Sequence, residues 1–449
     1  MSMLPKCQYD PLINDFPSNQ AWPNSYWAST VVQPQSHEPL AGTIKADVAI
    51  IGAGYTGMLT AYYLASQFNI DCVVLEANQV GFGASGRNAG FVLKGSGRVG
   101  YGQMAKKWGL EVTKGIYNEF TQAVERVDGL IQDNHIACDK QEQGYLKIAH
   151  NRKQVTQLQT AAEFVSQSLG GKAEFIVAER FKQQYMAHSQ SYGAMRYPDG
   201  FGINPLKLAL GYRTLLAKLG IALYEQTPVT GWYSTDSGHI LTTPNGKVQA
   251  NTVISAGNAY TPKRFNSGLD NRYLPILSNV IVTNVLSDDV LTAAGISTHQ
   301  MAMDTRRLKY YYRLLPDNRL LFGGRGAING SESDDPKYAR RLHKAMIEAF
   351  PQLRHSQIDF NWTGWIAAAL DDMPHVYHKQ HTAYSIGYCG AGVSFSAQAA
   401  YRLAQSVVGE AVPALPLYQQ PLPAFPFSRL RRVGQRAYYH YAWLMDKYG

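Results

Sequence analysis

From position 47 the chain reads "DVAIIG", a run of small and β-branched residues with no polar face, as expected of a strand buried on both sides in a parallel sheet. The period changes at Gly52. "TGMLTAYYLASQF" then spaces its apolar residues like a helix, and "DCVVLE" is a second buried strand ending at Glu76. Helical periodicity returns in "GLEVTKGIYNEFTQAVERVDGLIQDN", "NRKQVTQLQTAAEFVSQSL", "NPLKLALGYRTLLAKLG" and "YARRLHKAMIEAF". Strands are predicted at "GYLKIAH", "YLPILSNVIVTNVL", "LKYYYRLL" and "RLLFGG", with a strand and turn at "IALYEQTPVTGWY". "GHILTTPNGKVQANTVISAGNAYTP" reads as a hairpin turning at Asn245-Gly246. Near the end, "TAYSIGYCGAGVSFSAQAAYRLAQSVVG" is again strand, glycines, helix.

The first of these patterns carries chemistry. Gly52, Gly54 and Gly57 stand at G-x-G-x-x-G spacing between strand and helix. Gly52 permits the tight turn, Gly54 a close approach of the backbone to a pyrophosphate, and Gly57 close packing of helix on strand. The helix N-terminus directs its amides at phosphate oxygens. Glu76, nineteen residues after Gly57, is placed to accept hydrogen bonds from ribose hydroxyls, and its charge disfavours a 2′-phosphate. "GFGASG" (81–86) has the same spacing but follows no strand, so it is not read as a second nucleotide turn. The late strand–glycine–helix unit suggests a nucleotide domain assembled from separated pieces. Its helix, starting near Gly392, could aim its N-terminus at a ring that gains negative charge on reduction, as a flavin does.

Bulk properties add bounds. A chain of 449 residues with 45% hydrophobic content can build two domains. No run approaches the roughly 20 apolar residues of a membrane span, and the start lacks the pattern of a secretory signal. Cys7, Cys72, Cys138 and Cys389 are scattered without metal-ligand spacing, so no metal and no disulfide framework are expected, and the location expected is cytoplasmic. The net charge of +9 is partly concentrated in the tail "FSRLRRVGQRAYYHYAWLMDKYG".

Taken together, "DVAIIGAGYTGMLTAYYLA", "VVLEANQVGFGASGRNAG", "VISAGNAY", "RLLFGG", "WTGWIAAALDDMPHV", "GYCGAGVSFSAQAA" and the tail give the chain its resemblance to the D-amino-acid-oxidase-like family of FAD-dependent amine and amino-acid oxidoreductases. It is most similar to the branch containing γ-glutamylputrescine oxidoreductase. The resemblance implies an α/β fold, α+β overall: a Rossmann-like FAD domain (1–97, 200–270, 355–449) and a substrate domain on a mostly antiparallel sheet (98–199, 271–354). It implies non-covalent FAD held by Gly52, Gly54, Tyr55, Thr56, Gly57, Glu76 and Ala77; by Gly83, Ala84, Ser85, Arg87, Asn88, Ala89 and Gly90; by Val229, Ala256 and Gly257; and by Gly364, Trp365, Gly390, Gly392, Val393 and Ser394. Lys94, Tyr312 and Arg313 are the substrate-side candidates.

Two departures stand out. The family reads Gly-x-Ser-Gly-His-Gly where this chain has Gly387-Tyr388-Cys389-Gly390-Ala391-Gly392, and Ser394 stands where sarcosine-oxidase-like members carry a lysine. Cys389 reads as a packing residue in preference to a flavin attachment point. The chemistry implied is hydride transfer from the carbon beside nitrogen of a small amine or amino acid, giving an imine and, with oxygen as acceptor, hydrogen peroxide. No catalytic triad is expected, since the free amine's lone pair drives the step. Two rivals remain: a dehydrogenase passing electrons to a membrane quinone, and a non-enzymatic FAD-binding or assembly protein. The tail is read as a helix packed on its own protein or on a second subunit, in preference to a peripheral membrane contact. No nucleic-acid partner is expected.

Overall fold

The computed structural model describes residues 9–17, 20–32, 34–236, 238–262 and 265–448, so Cys7 lies outside the described residues. The apolar end of the first strand, Gly42–Ile51, is paired on both sides: Val48 with Thr252 and Cys72, Ile51 with Ser255 and Leu75. Both pairings are parallel, which buries both faces and accounts for the lack of a polar alternation there. The sheet runs in the order His375–Lys379, Thr382–Ile386, Gly246–Ser255, Gly42–Ile51, Cys72–Leu75, Ala222–Tyr224. It is parallel from Thr382–Ile386 to Ala222–Tyr224, with His375–Lys379 antiparallel at one edge. The hairpin forms as expected, with Gly238–Thr242 antiparallel to Gly246–Ser255. Helices Tyr55–Phe68, Leu110–Asp133, Pro205–Lys218 and Gly392–Val407 bury their apolar sides in one cluster against this sheet.

A second sheet is mostly antiparallel, in the order Ile358–Ala368, Leu274–Thr283, Leu320–Arg325, Tyr311–Leu314, Met301–Asp304, Gln143–Ile148, Ala194–Gly202, Phe91–Val92. Met301–Asp304 and Gln143–Ile148 are the parallel pair within it. Helix Pro336–Ala349 packs on one face, where Leu342, Met346 and Phe350 meet Tyr312 and Phe322. The expected combination of a Rossmann-like sheet and a mostly antiparallel one is what the chain forms. Two long strands of the second sheet, Ala194–Gly202 and Ile358–Ala368, carry no clear alternation in sequence and were not anticipated. Ile358–Ala368 pairs along Leu274–Thr283, so it lies in the second sheet, whereas a boundary at 355 groups it with the first. Helix Asp288–Ala293 interrupts the strand-rich region.

Candidate cofactor and substrate site

Gly52 ends the first strand at φ +109°, and a Cβ there would lie 3.0 Å from the Ala256 carbonyl oxygen. A Cβ at Gly57 would lie 1.9 Å from the Gly52 oxygen, so helix and turn touch through glycine alone. Helix Tyr55–Phe68 has Gly54 as its N-cap and no side-chain cap; helix Gly392–Val407 has Ala391 there and none either. Both N-termini open on the same cavity, lined from one side by Gly54, Tyr55 and Thr56 and from the other by Gly390, Gly392 and Val393. Two long helices thus present uncapped amides and positive dipole ends to one space. The Ser85 hydroxyl, on the short helix Ala84–Arg87, accepts from Tyr55 N at 2.9 Å, where an anionic oxygen would also be held.

Glu76 lines the same cavity. Its carboxylate accepts from Ala53 N at 2.8 Å and Asn78 N at 2.9 Å, which fixes the side chain across the end of the strand. Burial pushes its pKa up to about 7 in spite of these two amides. Three buried polar atoms on the wall have no hydrogen-bond partner among the described residues: Asn258 Oδ1, Thr261 Oγ1 and Ser396 Oγ. Orphaned polar groups and two helix N-termini on the wall of one cavity fit a dinucleotide such as FAD.

A second cavity opens from the first, sharing Ala84, Asn88, Ile366, Cys389, Gly390 and Val393. Phe91, Val280, Met303 and Trp365 make apolar walls, and Tyr311 contributes its hydroxyl, 2.6 Å from Ser278 Oγ. Among the described residues four cations line it, Arg87, Arg98, Lys309 and Arg325, and no carboxylate does. Arg87 donates from Nε to the Phe82 oxygen at 2.6 Å, lies 4.2 Å over the Phe82 ring, and makes no ion pair among the described residues. Lys309 Nζ donates to the Gly97 oxygen at 2.6 Å; burial, then Lys147, Arg98 and Arg325, pushes its pKa down to about 7. Arg98 pairs with Asp372 at 2.9 Å from outside the cavity.

The predicted residues divide accordingly. Gly52, Gly54, Tyr55, Thr56, Glu76 and Ala77 line the first cavity. So do Gly83, Ala84, Ser85, Val229, Ala256 and Gly257, and from the late unit Gly390, Gly392 and Val393. Asn88 lines both cavities, while Arg87, Ala89, Gly364 and Trp365 line the second. Gly57 and Gly90 are scaffold: a Cβ at Gly90 would lie 2.0 Å from the Ile203 oxygen. Four expectations are corrected. Lys94 turns away, pairing with Asp199 and donating to the Tyr117 hydroxyl at 3.3 Å. Tyr312 is buried under helix Pro336–Ala349, stacked on Phe322 at 5.3 Å. Arg313 is a buried strut, donating to the Ala89 and Ile203 oxygens and to Gln141. Ser394 is buried and donates to the Leu93 oxygen. From "LKYYYRLL" it is Lys309 and Tyr311 that line the second cavity. Arg98 and Arg325 come from distant segments and had no local signal.

Comparison with known proteins agrees with this geometry. The model of the FAD dependent oxidoreductase family, DAO, matches residues 47–406. The chain is 32% identical to γ-glutamylputrescine oxidoreductase of Escherichia coli K12 over 411 residues, covering 91% of this chain and 95% of that protein. It is 22% identical to glycine oxidase of Bacillus subtilis, over 74% of this chain and 83% of that protein. Among solved structures, glycine oxidase from Geobacillus kaustophilus superposes with a TM-score of 0.70 at 20% identity, over 85% of this chain and 99% of that one. L-proline dehydrogenase from P. horikoshii gives 0.69 at 17% identity, over 84% and 96%.

Proposed function

The chain belongs to the DAO family of FAD-dependent oxidoreductases, and from that premise we propose that it oxidises the C–N bond of a small amine that also carries a carboxylate. Bound FAD supplies an acceptor for hydride from the carbon beside nitrogen, and the imine left behind is hydrolysed by water. The rest is the work of the chain. With FAD bound, the Gly52–Gly54 turn and the amides of Tyr55 and Thr56 would hold the pyrophosphate, Glu76 the ribose, and Val229 the adenine side. The N-terminus of helix Gly392–Val407 would favour negative charge gained by the cofactor on reduction. Attachment is non-covalent: the Cys389 thiol donates to the Gly387 oxygen at 3.1 Å, and burial pushes its pKa up to about 12.

The observation that carries the reading is the second cavity, with four cations and no acid on its walls. A plain diamine would meet only like charge there, whereas a carboxylate meets Arg87, Arg325 and Lys309. The apolar walls keep water from the reacting carbon, and the cations around it disfavour the ammonium form of the substrate, so that the amine reacts neutral. Oxygen is the acceptor in this reading, so peroxide is the second product.

Anaerobic bleaching of the bound flavin by a panel of amines tests it. Amines bearing a carboxylate should bleach the flavin and, after air is admitted, release peroxide. Bleaching confined to amines without a carboxylate would remove the anion from the proposal; no bleaching by any amine would remove amine oxidation altogether. Bleaching without peroxide points to a different electron acceptor.

A further inference from the structure

The helix Arg431–Tyr448 lies beyond the residues matched by the family model, 47–406. Its first turn is tied to the body: Arg432 pairs with Asp10 at 2.8 Å and Arg431 donates to the Tyr273 oxygen at 2.6 Å. In its last turn the Asp446 carboxylate accepts from the backbone amides of Arg307 at 2.8 Å and Leu308 at 3.0 Å. Those two residues immediately precede Lys309. The other side of the same turn is held by Asp304, which accepts from Arg306 N and Tyr310 N, both at 3.1 Å. Midway along the helix the Tyr438 hydroxyl accepts from Arg98 at 3.2 Å, on a guanidinium already paired with Asp372. Lys309 in turn donates to the carbonyl of Gly97, the neighbour of Arg98. One surface helix therefore touches the supports of two of the four cavity cations at once.

We propose that this helix braces the substrate site from outside, with Asp446 and Tyr438 as positioning residues that set Lys309 and Arg98 for the anionic group of the substrate. The inference rests on reading the second cavity as the substrate site. Without Asp446, two backbone amides lose their acceptor and the turn presenting Lys309 is free to shift; without the Tyr438 hydroxyl, Arg98 is held by Asp372 alone. Neither residue lines the second cavity itself, so each acts through another residue.

The test uses the full-length, FAD-loaded protein and follows the flavin spectrum on titration with propionate and, separately, with uncharged propionamide. Lys309→Met serves as the reference variant. Asp446→Asn and Tyr438→Phe should each weaken propionate by about tenfold, the scale of one displaced charge-assisted hydrogen bond, and leave propionamide unchanged. Asp446→Glu, which keeps the acceptor charge, should recover part of the loss. If Lys309→Met weakens propionate while Asp446→Asn and Tyr438→Phe do not, the helix is only packing and the inference falls. If propionate fails to bind the parent protein, or binds Lys309→Met as well as the parent, the anion-site reading itself falls. Should Asp446→Asn not fold, Tyr438→Phe and Asp446→Glu decide the matter.

Discussion

Glu76 is held in the folded protein against its preference for water. With its pKa raised to about 7, the folded state binds a proton that the unfolded chain releases near the ordinary carboxylate range. Its contribution to stability in the FAD-free protein is therefore present at low pH and lost as pH rises through about 7. Ribose hydroxyls donating to this carboxylate favour its ionised form, so the sign for binding is opposite: affinity for FAD should increase as pH rises through about 7. Glu76→Gln should remove that slope. It should also weaken FAD by an amount on the order of 1–3 kcal/mol, because the new NH2 faces the Ala53 or Asn78 amide as well as losing the charge. Titration of the apoprotein with FAD between pH 6 and 8 checks both statements. A variant with the parent's slope would take Glu76 off the ribose. Lys309 is the counterpart on the substrate side: its pKa is lowered to about 7, so a carboxylate ligand should bind more weakly above that pH as the ammonium is lost. Lys309→Met should flatten that dependence in the same spectral titration.

At the level of elements, the features readable from sequence were those in which one segment carries its own reason. The strand at 47, its glycines, the following helix and Glu76 are contiguous, and each residue type answers to a local constraint of turn, close packing or amide geometry. The same holds for the strand and uncapped helix around Gly392. Ile358–Ala368 escaped because its residues are half-buried on both faces, so no alternation marks it. Lys94 was misplaced because nearness to Gly90 in sequence says nothing about which side of Phe91–Val92 its side chain leaves from; Asp199 and Tyr117 decide that. The cavity cations come from four separate places, a short helix, two loops and a strand end, so no single pattern in the sequence joins them. The tail was readable as a helix, and two of its arginines, Arg431 and Arg432, are engaged with Tyr273, Asp10 and Pro275. Its outward side still exposes Val433, Tyr441 and Leu444. Deleting 427–449 should lower the Tm and leave sedimentation with anionic liposomes unchanged. Pelleting of the full chain at low salt, with release at 1 M salt where the Debye length is about 3 Å, would show a membrane contact instead.

For the whole molecule, the first cavity is a joint product of two ends of the chain. Gly52, Gly54 and Glu76 form one side, Tyr388, Gly390 and Val393 the other. A chain ending at residue 300 keeps the first group and loses the second, so it should leave a gel-filtration column without bound flavin; a yellow fragment would show that the early segment suffices. The parallel sheet has the same composite origin, since Gly42–Ile51 pairs with Gly246–Ser255, which pairs with Thr382–Ile386. Ribosomes add about 5–20 residues per second, so the roughly 330 residues between Ile51 and Thr382 take on the order of 15–65 s to appear. Until Gly246–Ser255 is made the nascent chain displays "VAII" as an open edge, and from then until Thr382–Ile386 follows the open edge is "TVIS", each an apolar edge that invites pairing with other chains. A cofactor cradle built from both ends of one polypeptide therefore leaves a strand edge open until the last glycine turn has emerged, the interval in which a holdase would protect the chain.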